Sequence, residues 1–201
     1  MEEQTRIKIC GLTRLEDIDA VNELKPEYVG FVFAKSRRQI TKEHAVTLRR
    51  YLDPEIQAVG VFVNELPAIV AGYLEEGVID LAQLHGNESE EYIHSLRFRT
   101  GGELIKSFPS KPGRTSKGEK KQRRLHPSRP RKRRYRRIVR LVTDQKHGPP
   151  VFPCGSLNAE NVEQAILQTH PFAVDISSGV ETDGVKDPKK ITECIRRIRH
   201  V

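Results

Sequence analysis

The sequence predicts an α/β protein of the (β/α)8 TIM-barrel class, a ring of parallel strands wrapped by helices. Three observations predict it. Short apolar, β-branched runs alternate with amphipathic stretches along the chain. Those runs are too apolar for half-exposed strands, so the sheet is parallel and covered on both faces. Their centres, near Ile9, Phe31, Val61, Ala82 and Ile105, then Val174, recur at a step close to that of a barrel unit.

The elements follow in order. "RIKIC" (6–10) reads as a strand and leads into "TRLEDIDAVNEL" (13–24), where Leu15, Ile18, Val21 and Leu24 fall at helical spacing. Thr13 and Glu16 stand in the capping-box relation. "YVGFVF" (28–33) precedes the helix "TKEHAVTLRRYL" (41–52), for which Thr41 is the expected cap. "QAVGVFV" (57–63) precedes "LPAIVAGYLEEG" (66–77), stopped by Gly77. "IDLAQLH" (79–85), "SEEYIHSLRFRT" (89–100) and "ELIKSF" (103–108) continue the alternation. After a gap come a helix at "NAENVEQAILQT" (158–169), capped by Asn158, the strand "FAVDIS" (172–177) and a closing helix over 187–201.

The gap is informative. Ile105 and Val174 are 69 residues apart, room for two further strands near residues 128 and 151, which would bring the count to eight. The sequence there is instead strongly basic. Residues 109–150 hold sixteen Lys/Arg against Glu119 and Asp144, a net of +14 within a chain of net +8. Everything outside the block is mildly acidic. At 201 residues the chain reads as one barrel domain over 1–201, with 109–154 as an anomalous basic segment and strands 6 and 7 corrupted or missing. Three widely spaced cysteines, Cys10, Cys154 and Cys194, make neither a disulfide framework nor a metal cluster. The N-terminal residues lack the basic and apolar regions of a signal peptide, and no apolar run reaches membrane-spanning length, which reads as a cytoplasmic protein.

In such barrels chemistry gathers at the C-terminal ends of the strands. Those positions hold Cys10-Gly11, Ser36-Arg37-Arg38, Asn64-Glu65, His85-Gly86 and Ser177-Ser178-Gly179. Cys10 is either a proton-transfer group or nucleophile beside basic groups, or a small buried residue ending a strand. Arg37 and Arg38 either fork onto a carboxylate or phosphate, or are solvated. His85 either titrates near neutrality or is held structurally by hydrogen bonds. "DISSGVE" (175–181) runs a strand into Ser-Ser-Gly, where phosphate-binding barrels hold their anion. "GSLNAENV" (155–162) is a second small-residue turn feeding a helix, so the two can form one cradle.

Together "KICGLTRLEDI", "VGFVFAKSRRQI", "VGVFVNE", "DLAQLHG", "LNAENV" and "VDISSGVETDGVKDPKKI" resemble the phosphoribosylanthranilate isomerases of tryptophan biosynthesis, over roughly 6–108 and 155–199. The resemblance implies a (β/α)8 barrel without cofactor or metal. It would convert N-(5′-phosphoribosyl)anthranilate to 1-(2-carboxyphenylamino)-1-deoxyribulose 5-phosphate, a small phosphorylated substrate. It implies Cys10 as general base at the sugar C2′, Arg38 on the anthranilate side, and His85 among the substrate-binding residues. The turns at Gly155-Ser156 and Ser177-Ser178-Gly179 would bind phosphate. It also implies a general acid, an Asp ending the sixth strand in an L-L-D pattern, followed by G-G-T-G and F-D-W. None of these is present as written, and Asp144 is the only Asp of the block.

A displaced reading frame over roughly 110–155 accounts for this. Arg133-Arg134-Tyr135-Arg136-Arg137-Ile138 can be encoded CGG CGG TAC CGG AGA ATC, which one nucleotide later reads Gly-Gly-Thr-Gly-Glu-Ser. Carried through residues 139–155 with permitted codons, the same shift gives Phe-Asp-Trp and ends Phe-Phe-Leu-Ala-Gly. The written chain is therefore expected to have an opened barrel, to fold poorly and to show little isomerase activity. The alternative is a phosphate-binding barrel with a basic nucleic-acid-binding insertion, whose Lys/Arg would neutralise phosphates in a salt-dependent way. Against it, Tyr135 is the block's single aromatic for base stacking, so nucleic acid is not the expected partner. Oligomeric state is not legible.

Overall fold

The computed structural model describes residues 4–109, 137–142, 151–154 and 157–201. Among them, eight strands close into a ring in chain order. They are β1 (Arg6–Cys10), β2 (Tyr28–Val32), β3 (Gln57–Phe62), β4 (Leu81–Leu84), β5 (Glu103–Pro109), β6 (Arg137–Val142), β7 (Val151–Cys154) and β8 (Ala173–Ile176). The six strands read from the sequence all form. β1 to β5 run parallel in succession, and β8 returns parallel to β1 with Lys8 opposite Asp175.

The damaged gap, read as corrupted or missing strands 6 and 7, holds the irregular part of the ring, but the ring does not open. The position near residue 128 lies outside the described residues, but strands are not missing from the gap. Val151–Cys154 forms β7, parallel to β8. Arg137–Val142 forms β6, antiparallel to both β5 and β7, so the ring is closed by a reversed strand instead of opening. Two physical reasons account for this. "RIVRLV" has the β-branched and apolar content that the residues before it lack. And residues 143–150 are too few for a parallel crossover, which takes a dozen or more, so β6 and β7 can pair only antiparallel.

Alternation along the parallel strands builds the interior in layers. Tyr28, Val59, Leu81, Ile105 and Ala173 form an apolar floor. Two residues further along, Lys8, Gln83, Ser107 and Asp175 form a polar middle layer, with Lys8, Gln83 and Ser107 all buried. Gln83 Oε1 has no hydrogen-bond partner among the described residues. Two residues further again, Cys10, His85 and Ser177 reach the mouth. The opposite strand face (Ile7, Ile9, Val29, Phe31, Phe62, Val174, Ile176) packs on the helices in a separate, larger core.

The helices are α1 (Leu15–Leu24), α2 (Lys42–Tyr51), α3 (Pro67–Glu75), α4 (Glu90–Thr100), α5 (Val162–Thr169) and α6 (Pro188–Arg199). Thr41 caps α2 by accepting from His44 N–H, as the sequence predicts, and Ser89 caps α4 in the same way. The α1 cap is displaced by one residue. Arg14 takes the cap position, and the buried Asp17 accepts from the N–H groups of Thr13 and Arg14 at 2.9 and 3.1 Å. Asn158 does not cap α5 directly. Its side chain accepts from Glu160 and Asn161 N–H, forming a turn that delays the helix to Val162. A 3-10 turn (Ser178–Val180) and the short pair β9 (Glu181–Thr182) and β10 (Val185–Lys186) link β8 to α6. No helix among the described residues is long and apolar enough to cross a membrane.

Phe33, Phe62 and Tyr73 lock α3 onto the sheet, with ring centroids 4.5 to 5.4 Å apart. Phe62 is buried, so Phe62→Ala should destabilise the chain by about 3–5 kcal/mol through lost burial and the cavity left behind. A urea titration of variant and parent measures it.

Candidate active site

The mouth is built around Cys10. As the last residue of β1, it sits beside Gly30 of β2 in register, and a Cβ on Gly30 would overlap its Sγ. Ser177, just past β8, donates its hydroxyl to the Cys10 carbonyl at 2.9 Å, stitching the two strand ends together. Below it, Lys8 donates to both carboxylate oxygens of Asp175 at 3.0 Å and is essentially unexposed. Burial pushes the Cys10 thiol above its ordinary value. The Lys8 ammonium opposes that by charge and by hydrogen bond, the Asp175 charge reinforces it, and the Lys186 charge opposes it.

Above Cys10 a carboxylate gathers three cations. Arg38 binds Glu181 in a fork, Nε at 2.6 Å and Nη2 at 2.9 Å. Lys186 Nζ reaches the same carboxylate at 2.7 Å, and Arg37 joins from the solvent side. Lys186 also donates to the Ser177 carbonyl at 2.9 Å. Burial acts to raise the Glu181 carboxyl, but Arg38 and Lys186 outweigh it and hold it at about 2. Burial lowers the Lys186 ammonium against the pull of Glu181. Arg38 lies over Gly11, where any side chain would strike its aliphatic stem.

Of the predicted residues, Cys10, Arg38, Ser177, Ser178 and Gly179 fall in this one region. Gly179 abuts the chain entering α5 so closely that a Cβ there would overlap the Leu157 carbonyl, so the two late turns meet. Gly155 and Ser156 lie outside the described residues. His85, four strands around the ring from β8, shares a 2.8 Å hydrogen bond between its Nδ1 and the Ser107 hydroxyl. Beside it, Lys106 donates to Glu88 Oε2 and to the Gly86 carbonyl, each at 2.8 Å, while Glu88 Oε1 accepts from Asn64 and Gly86 N–H. That cluster fixes the loops after β3 and β4. No group of three or more His, Cys, Asp or Glu able to hold a metal ion occurs among the described residues.

The family model for N-(5′-phosphoribosyl)anthranilate (PRA) isomerase matches residues 7–122 and 136–197. This chain belongs to that family. The match runs further into the basic block than the motifs do and leaves out 123–135. An N-(5′-phosphoribosyl)anthranilate isomerase from Thermoanaerobacter pseudethanolicus is 39% identical over 200 residues, covering 98% of each chain. One from Endomicrobium trichonymphae is 40% identical over 196 residues, covering 96% of this chain and 98% of its own. Crystal structures agree. The isomerase of Thermotoga maritima, studied as monomers of a dimeric enzyme, superposes with TM-score 0.74 at 30% identity over 98% of this chain and all of that one. Another isomerase of the family, solved in complex with reduced 1-(o-carboxyphenylamino)-1-deoxyribulose 5-phosphate, gives TM-score 0.69 at 26% identity, with 98% and 100% coverage.

Four site residues of this family member escaped the sequence reading: Lys8, Asp175, Glu181 and Lys186. Strand alternation offered a signal for two of them. Lys8 and Asp175 are charged residues inside apolar strands, each two positions before a mouth residue, which places them in the interior. Glu181 and Lys186 lie in a loop, where no periodicity reveals that they meet.

Glu181 ties acid stability to the site. Its folded-state value of about 2 lies below the ordinary 4.5, so its contribution is complete above 4.5 and is lost as pH falls from there toward 2. Glu181→Gln should therefore be less stable than the parent at neutral pH, with the gap closing through that window. Denaturation midpoints against pH test this; a gap that stays constant on acidification contradicts it.

Proposed function

We propose that the strand-end face of this barrel binds N-(5′-phosphoribosyl)anthranilate and carries its Amadori rearrangement to 1-(2-carboxyphenylamino)-1-deoxyribulose 5-phosphate, a step of tryptophan biosynthesis. The observation that carries the reading is Cys10, held at the mouth between two buried lysines and beside the turns that suit a phosphate. Once the ribose ring has opened to a Schiff base, Cys10 takes the proton from C2′; the C–H pair becomes the C1′–C2′ double bond and the C1′–N π pair moves onto nitrogen, giving an enolamine. Protonation at C1′ with loss of the 2′-hydroxyl proton gives the ketose. Only protons move, so the reading requires no cofactor.

Glu181 aims Arg38 by its Nε and Nη2 edge, leaving the Nη1 side for the anthranilate carboxylate. His85, oriented by Ser107, lines the substrate's far side. Ser177-Ser178-Gly179, with Gly155 and Ser156 opposite, supplies backbone donors to the phosphate. A biosynthetic step on a phosphorylated metabolite fits the cytoplasmic setting that the sequence suggests.

Ring opening needs a proton delivered to the ribose oxygen. The family's Asp for that task has no counterpart in the sequence as written, and Asp144 lies outside the described residues. The displaced frame over 110–155 is the explanation we favour, and the DNA sequence across codons 105–160 decides it. The 201-residue chain, its mass confirmed, should convert little substrate; efficient turnover would refute the assignment of the missing acid. In a frame-restored chain, Cys10→Ser should lower kcat by about 100-fold or more with little change in KM. Unchanged turnover removes Cys10 from the mechanism. Neither chain should bind a nonspecific duplex at moderate salt, whereas a nucleic-acid-binding insertion would give a steeply salt-sensitive affinity.

A further inference from the structure

A base that works at carbon must exist as thiolate for part of the time, and the walls of this barrel work against one. Burial acts to raise the Cys10 thiol. Lys8 is the group placed to oppose that. It is on the same strand and, two residues away, on the same strand face. A buried ammonium with that duty needs a partner of its own. Asp175, directly opposite in the β1–β8 register, supplies both carboxylate oxygens.

We propose that Lys8 and Asp175 act as positioning residues for the Cys10 base: Lys8 presents the cation that holds the thiolate, and Asp175 holds Lys8 in place beneath it. The proposal rests on the reading of Cys10 as the base and adds how the fold makes it one. The middle layer of the barrel is thus the electrostatic floor of the site.

Other charged groups face Cys10. Lys186 on β10 adds positive charge but is turned toward Glu181 and the Ser177 carbonyl. Arg38, from the β2–α2 connection, is bound in its fork to Glu181. From β2 the neighbour is Gly30, which brings no charge. Lys8 is therefore the cation whose removal changes the surroundings of the thiol most, and Asp175 the anion whose removal changes them in the opposite sense.

That opposition makes the test. The full 201-residue chain is alkylated with iodoacetamide from about pH 6 to pH 10, and peptide mass spectrometry separates Cys10 from Cys154 and Cys194. Lys8→Met should slow Cys10 alkylation about tenfold at a given pH, and Asp175→Asn should speed it severalfold. Lys8→Arg, which keeps the charge, should stay within about threefold of the parent. Simple loosening of the barrel would expose the thiol in both Lys8→Met and Asp175→Asn and accelerate both. Two variants that move in the same direction, or neither moving, overturn the proposal. The readout needs no turnover, so it is independent of the missing acid. If Cys10→Ser keeps full turnover in the frame-restored chain, the base assignment fails instead, and the alkylation series distinguishes the two failures.

Discussion

The Lys8–Asp175 ion pair lies on the seam where this barrel closes. β1 and β8 are the first and last strands, and their register sets these two residues opposite each other inside the ring. A buried pair of this kind is weak evidence of net stabilisation, since both ions lose their hydration. Breaking it is a different matter, because removal of one partner strands a buried charge at a cost of about 3–5 kcal/mol. The pair therefore selects one register over its neighbours. A slip of one residue at the seam would turn Lys8 and Cys10 away from the interior together. Fold specificity and site geometry are decided by the same contact.

The second constraint is covalent. A parallel pair requires a crossover, and the chain provides one wherever a helix lies between strands. Around the seam this gives β7, α5, β8, α6 and β1 in the order the family demands. Between β6 and β7 the eight intervening residues give no such freedom. A sequence whose apolar residues fall at 138–142 can still contribute a strand, but only in reverse. The ring tolerates it because strand pairing satisfies backbone groups in either sense, whereas the helix cover on that side depends on direction.

Much of this was legible beforehand. Apolar runs at a steady step gave the class and six strands, and residues just past strand ends gave most of the mouth, because in this architecture position along a strand encodes position in the site. What was not legible came from interactions that no local pattern carries. Glu181 reads as one acid among many in a loop, yet three cations converge on it. Arg38 was legible as an anion binder, but not that an internal carboxylate already occupies its fork. Asp17 and Asn158 show the same limit at smaller scale. Both are good capping residues, and neither helix starts where spacing alone puts it: Arg14 replaces Thr13 at the head of α1, and the Asn158 turn delays α5 to Val162. The reversal of β6 was missed because composition speaks to whether a strand forms, and connection length to which way it runs.

A barrel has a polarity: every strand that runs with the ring ends at the same rim, so each can deliver a side chain to a common reaction. β6 breaks that rule. Its last residue, Val142, stands beside Leu104 near the start of β5, so its C-terminal end points to the rim opposite Cys10. The resemblance implies a proton donor ending a sixth strand expected near residue 128, outside the described residues. A donor placed at the end of this β6 would stand at the rim away from Cys10. What the written chain lacks is a direction as much as an aspartate, and only a segment able to cross back over the sheet would supply both.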